Sequence, residues 1–196
     1  MFTLALAVAL VSAAEPARII SVVPFGKVEQ RTLDVMKEAI EARVNATVRF
    51  EAERPLPAEA FYAPRKRWRA EKLLEALDAD KPAGAWRIVA VTGAEISTTK
   101  GDIRDWGIAG LGNIGGPSCV VSTYLYKKHS KTKAVLERRF ADVTVHELGH
   151  TLGMDHCETA GCVMSDAKGK AMASADASTS QYCESCRQTA PPTVLK

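Results

Sequence analysis

Apolar residues recur along the chain with two periods. Residues 18–23 (RIISVV) are β-branched and predict a strand that Pro24, Phe25 and Gly26 close. In residues 29–44, Leu33, Met36, Ala39, Ile40 and Val44 fall at helical spacing. Val48 and Phe50 then alternate with polar neighbours, as in a strand, and Pro55, Pro57 and Pro64 mark an irregular connection. A second helix is expected over 66–79, with Trp68, Leu73, Leu74 and Leu77 on a broad apolar face. Residues 86–92 (WRIVAVT) and 118–124 (SCVVSTY) predict two more strands. Residues 133–145 mix Leu136, Phe140, Val143 and Val145 with Glu137, Arg138 and Arg139, the pattern of a half-buried helix. Beyond it, residues 165–180 are small and polar and predict turns only, and 190–196 read as a loose tail. The order strand, helix, strand, helix, strand, strand, helix points to an α/β upper subdomain reaching to about residue 153. A small irregular lower subdomain, 154–196, follows.

The last helix runs into His146-Glu147-Leu148-Gly149-His150-Thr151-Leu152-Gly153-Met154-Asp155-His156, a H-E-x-x-H-x-x-G-x-x-H stretch. Helical residues four apart lie about 40° apart around the axis, so His146 and His150 reach one metal from one face. Glu147 looks into the same cleft and suits a general base. Gly153 lets the helix stop in a left-handed turn, which brings His156 back beneath the metal. Three imidazoles leave one zinc position open, as catalytic sites require. Three of the four histidines lie in this one window. The fourth, His129, sits in a basic run, where a surface role is the default.

Cys157, Cys162, Cys183 and Cys186 follow as C-x4-C and C-x2-C. Four thiolates in two close pairs are what a closed structural zinc site needs. The alternative is two disulfides with Cys119 left free. Met164 on its own reads as core filler. Taken together, the histidine stretch, the C-x4-C-x-M that follows it and the distal C-x-x-C resemble the archaemetzincins, a metzincin family with a catalytic zinc and a second zinc held by four cysteines. The resemblance implies His146, His150 and His156 as catalytic-zinc ligands and Glu147 as general base. It also implies Met164 as the methionine turn beneath that metal, and Cys157, Cys162, Cys183 and Cys186 on the second zinc, so that two zinc ions are expected per chain. It further implies a metzincin-like zincin fold, with a mixed twisted sheet and helices above an active-site helix. In such folds an edge strand before that helix binds extended substrate, and residues 118–124 have that place in the order. Some members are associated with aminopeptidase activity.

Composition narrows the rest. A length of 196 residues with 46% hydrophobic residues suits one domain, expected over 15–196, and a net charge of +3 makes no case for nucleic acid. Residues 1–14 are apolar apart from Thr3 and Ser12 and too short to span a bilayer. They predict a signal peptide cleaved near Ala14, hence export to a periplasmic or extracellular space, with a cytoplasmic protein as the alternative. Export favours disulfides over thiolate zinc, which sharpens the question about the cysteines. Arg65, Lys66, Arg67 and Arg69 read as a solvated basic face. Gly110, Gly112 and Gly115 match G-x-G-x-x-G, but Gly116-Pro117 leads into a strand rather than a helix, so no nucleotide is expected. A mobile loop beside the cleft is the expectation there. Asn45-Ala46-Thr47 fits a glycosylation acceptor, and Tyr182 is expected as a packed aromatic. The function that follows is hydrolysis of peptide or protein substrates by a monomeric zinc peptidase with no membrane span. Two rivals are a zinc-binding exported protein without turnover and a disulfide-stapled binding protein.

Overall fold

The computed structural model describes residues 17–196; the apolar run 1–14 and its cleavage point lie outside the described residues. A five-stranded sheet forms the centre. Its strands are β1 (Ile19–Phe25), β2 (Thr47–Phe50), β5 (Arg87–Thr92), β8 (Gly110–Gly112) and β9 (Ser118–Ser122), in the order β2-β1-β5-β9-β8. The first four in that order are parallel and β8 closes the edge antiparallel. A parallel sheet needs cover on both faces, and the strands are apolar on both. Ile20, Val22, Val89, Val91 and Val121 face one core, with helices α1 (Gln30–Glu41) and α4 (Lys133–Thr151). Val23, Ile88, Ala90 and Val120 face the other, against Leu73, Leu74 and Leu77 of α2 (Ala70–Ala79).

A second, four-stranded sheet was not anticipated from the apolar pattern. It orders β3 (Phe61–Tyr62), β4 (Arg67–Arg69), β6 (Ile96–Lys100) and β7 (Ile103–Ile108) as β3-β4-β6-β7. Its formation corrects the helix expected over 66–79. Lys66 takes a left-handed φ of 52°, which no helix continues through, so Arg67–Arg69 pair with β6 and the helix begins at Ala70. The basic stretch is not a solvated face throughout. The Arg67 guanidinium lies 2.9 Å from Glu95 and 3.4 Å from Asp105, with its side chain 16% exposed.

Three more expectations change. The strand over 118–124 is β9, and it is interior, flanked by β5 and β8. The sheet edge nearest α4 is β8, inside the glycine-rich segment expected as a mobile loop. The polar stretch 165–180 contains a helix, α5 (Ala171–Ala177), tied to α4 by Arg138 and Arg139, both of which bond to Asp176. The tail is also held: Val194 is buried, Leu195 bridges Val44, and the Lys196 N–H donates to the Arg43 carbonyl at 3.0 Å. Two short helices, α3 (Tyr124–His129) and α6 (Glu184–Thr189), complete the fold.

Candidate metal centre

Helix α4 starts where the Thr132 hydroxyl accepts the Val135 N–H and runs for 19 residues. It buries Phe140, Val143, Val145 and Leu148, and its other face carries His146 and His150. It ends at Thr151 with Leu152 as its cap; Gly153 then turns with φ +94°. Two carbonyls from the returning chain catch the ligand rings. His146 Nδ1 lies 2.8 Å from the Val163 carbonyl, and His150 Nδ1 lies 2.8 Å from the Met154 carbonyl. A carbonyl only accepts, so both Nδ1 atoms carry the proton and both Nε2 atoms present lone pairs. Such outer hydrogen bonds fix the tautomer and aim of metal-ligating imidazoles.

The two Nε2 atoms stand 3.1 Å apart. Burial, with the neighbouring His150 adding to it, pushes His146 down to about 4, and burial lowers His150 as well, so these rings are neutral. Two lone pairs facing each other at that distance repel unless a cation lies between them. A tetrahedral zinc with arms of about 2.0–2.1 Å separates its nitrogens by about 3.3 Å. His156 completes the group, its ring centroid 5.4 Å from that of His146 and 5.0 Å from that of His150. Ligand atoms of the three rings all lie within 4.8 Å of one another. The donor set therefore fits a divalent cation. His156 is exposed, unlike the other two, and lies beyond the Gly153 turn.

Glu147 is buried beneath the sheet edge. Desolvation pushes its carboxyl up to about 8, partly opposed by the Gly112 N–H. Met164 is fully buried against Gly149, where an added Cβ would fall 2.5 Å from its Sδ. The methionine thus sits under the turn of helix between His146 and His150. Tyr182 packs beside it, its hydroxyl donating to the Val145 carbonyl at 2.7 Å. That bond makes it the packed aromatic expected rather than a group turned toward substrate. Cys119 is buried in β9 and burial pushes its thiol well up, so it is no nucleophile. His129 is exposed at the rim of the same cleft.

The second cluster gathers Cys157, Cys162, Cys183 and Cys186, whose sulfurs lie within 4.8 Å of one another. Cys157 Sγ to Cys183 Sγ is 3.6 Å, and Cys162 Sγ to Cys186 Sγ is 3.7 Å. A disulfide needs about 2.05 Å, whereas zinc with arms of about 2.3 Å spaces four sulfurs at about 3.8 Å. Backbone donation from Cys186 lowers the Cys183 thiol to about 6, toward the thiolate a metal takes. The group could therefore hold a metal.

The cleft beside the clustered histidines measures about 950 Å³. The β6–β7 hairpin, β8, α4 and residues 165–175 line it, and all three clustered histidines and Glu147 open into its wall. Gly110 and Gly112 are site residues that the sequence pattern did not reveal as such. Their G-x-G spacing was visible, but its fit to a close approach of strand and helix was not.

A helical pair of imidazoles with an intervening carboxylate, a third imidazole past a glycine turn and a methionine beneath them define a zinc metallopeptidase. The model of peptidase family M54 matches residues 60–190, and the chain belongs to that family. The archaemetzincin of Haloquadratum walsbyi is 28% identical over 154 residues, which cover 75% of this chain and 86% of that one. The archaemetzincin of Haloarcula marismortui is 26% identical over 152 residues, 74% of this chain and 84% of the other. The crystal structure of archaemetzincin from Methanopyrus kandleri superposes with a TM-score of 0.75, covering 90% of this chain and 94% of its own at 23% identity, a likeness of fold. Zinc is the metal of this family, and peptides or proteins are its substrates. Among the described residues no helix is long and apolar enough to cross a membrane.

Proposed function

We propose that the chain hydrolyses peptide bonds with a catalytic zinc on His146, His150 and His156 and with Glu147 as general base. The observation that carries this is the pair of Nε2 lone pairs held 3.1 Å apart by backbone carbonyls on the far side of each ring. When bound, zinc supplies a Lewis acid that polarises a carbonyl and acidifies water. Glu147 takes a proton from the attacking water and returns it to the leaving amine nitrogen. A cation held by its neighbour His146 would offset the desolvation that burial imposes on the Glu147 carboxylate. The outer edge of β8 has main-chain groups unpaired by any described strand. An extended substrate would add there, antiparallel to β8, held by main-chain bonds with side chains in the cleft.

The same proposal puts a second, structural zinc on Cys157, Cys162, Cys183 and Cys186, supported by sulfur spacings near those of a tetrahedral site. It makes the protein a monomer exported by residues 1–14, which N-terminal sequencing of the mature chain checks by finding Glu15 first. Glu147→Ala tests the assigned base. The variant is expected to keep its zinc while turnover of a peptide library falls about 10²–10⁴-fold. Retention of both zinc and full activity would remove Glu147 from the mechanism. The same library digested with a chelator present reports the metal requirement.

A further inference from the structure

Gly110 and Gly112 stand on the edge strand that covers the active helix, yet neither has a backbone conformation that requires glycine. Both lie outside the group of residues with positive φ. The requirement is steric. A Cβ at Gly110 would fall 2.4 Å from Glu147 Cγ, 2.7 Å from Oε1 and 2.8 Å from Cδ. Real Cβ atoms do not approach other atoms so closely. At Gly112 the obstruction differs: a Cβ would fall 2.5 Å from the Glu147 carbonyl oxygen and 3.0 Å from His150 Cβ. Gly112 therefore sets how near the strand lies to the helix backbone. At Gly110 the three nearest atoms all belong to the Glu147 side chain.

We propose that Gly110 is a positioning residue: the space left by its missing side chain is the seat that holds Glu147 between strand and helix. The clash begins at Cγ, so it cannot be relieved by turning the carboxylate tip. It demands a new χ1 at Glu147, and helices disfavour one of the three staggered choices. A methyl group at position 110 would occupy the seat and turn the carboxyl away from where it is held. The strand would keep its pairing, Gly110 to Val121 and Gly112 to Cys119. Misplacing a catalytic group by about 1 Å reduces rate by about 10²-fold.

The inference rests on Glu147 acting as base only where it concerns rate; the seat is tested separately. Gly110→Ala, Glu147→Ala and Gly110→Ala/Glu147→Ala are compared with the parent zinc protein by thermal unfolding, zinc content and peptide turnover. Gly93→Ala, whose added Cβ meets only Thr123 Oγ1 at 4.0 Å, serves as the control. Overpacking at a seat lowers Tm by roughly 3–8 °C in a chain of this length. Gly110→Ala is expected to show that loss and an approximately 10²-fold lower kcat with zinc and KM retained. In the Glu147→Ala background, where the clashing atoms are gone, the same substitution is expected to leave Tm unchanged. If Gly110→Ala fails to fold while the double variant folds, the seat is upheld. Equal loss of stability or of folding in both backgrounds overturns it, as does a single variant with unaltered kcat when Glu147→Ala is itself inactive. A base assignment that failed would show instead as full activity in Glu147→Ala, with the coupling in Tm intact.

Discussion

The two halves of the site are built differently. His146, Glu147 and His150 stand on a 19-residue helix clamped between a sheet and α1, with Leu148 fully buried beside them. His156 and Met164 lie on a chain with little regular structure, turning through positive φ at Gly153, Gly161, Lys168, Gly169 and Ser180. Hydrophobic burial fixes the first half. The second has short helices, and its buried side chains, among them Met154, Val163, Met164 and Tyr182, pack against the main core, with four sulfurs converging beside them. A small irregular segment buries little apolar surface of its own, and in the proposed function a metal clip on the four cysteines would add to its order. On the proposed reading, two of the three imidazoles are placed by the helix, and the third would be placed by a metal-loaded cysteine cluster.

Removing a sulfur should therefore cause the largest change. Cys186→Ser is expected to lose the second zinc, with a stability loss on the order of 4 kcal/mol or more. Limited proteolysis would then cut after Gly153 while α4 and the sheet stay protected. An unchanged melting curve and cleavage pattern would mean that the lower half orders without its metal. A smaller effect is expected at the joint between the halves. Tyr182→Phe removes the hydroxyl bond from the lower half to the Val145 carbonyl and should lower stability by about 1 kcal/mol in denaturant unfolding. A neutral outcome would mean that this contact does not hold the halves together.

The smallest effect lies within the regular half. Asp142 on α4 has a side chain 5% exposed, and neither carboxyl oxygen has a hydrogen-bond partner. Arg138 stands at 3.5 Å, while Ser178 and Ser180 are near without satisfying it. Desolvation outweighs these neighbours and raises the carboxyl. A raised carboxyl stabilises fully below its unfolded pKa of about 4, and that contribution is lost as pH rises through the folded value. Asp142→Asn should then gain up to about 1 kcal/mol relative to the parent at pH 7, with the gap closing toward pH 4. Denaturant unfolding at pH 5 and 8 checks the trend, and a variant relatively weaker at pH 8 would reverse it.

The same contrast governs what was readable from residues alone. Strands β1 and β5 and helices α1 and α4 announced themselves because they are buried and their periods are long enough to see. The histidine stretch was legible because helix geometry converts a spacing of four into one face. The second sheet was not, because strands such as Phe61–Tyr62 and Arg67–Arg69 are too short for an alternation to appear. Strand β8 was hidden for a different reason: Gly110 and Gly112 lack the side chains that mark a strand, and they lack them because Glu147 and its helix occupy the space. The helix at Ala171–Ala177 and the held tail depend on partners far away in the chain, Arg139 with Asp176 and Val44 with Leu195. No local pattern records such contacts.

The account turns on a cation at the meeting point of three imidazoles. Anomalous diffraction at the zinc edge from crystals of the full chain tests it most directly. Two peaks per chain are expected, one within ligand distance of His146, His150 and His156, the other among Cys157, Cys162, Cys183 and Cys186. A single peak among the sulfurs, with the three histidines bare at full zinc loading, would contradict it.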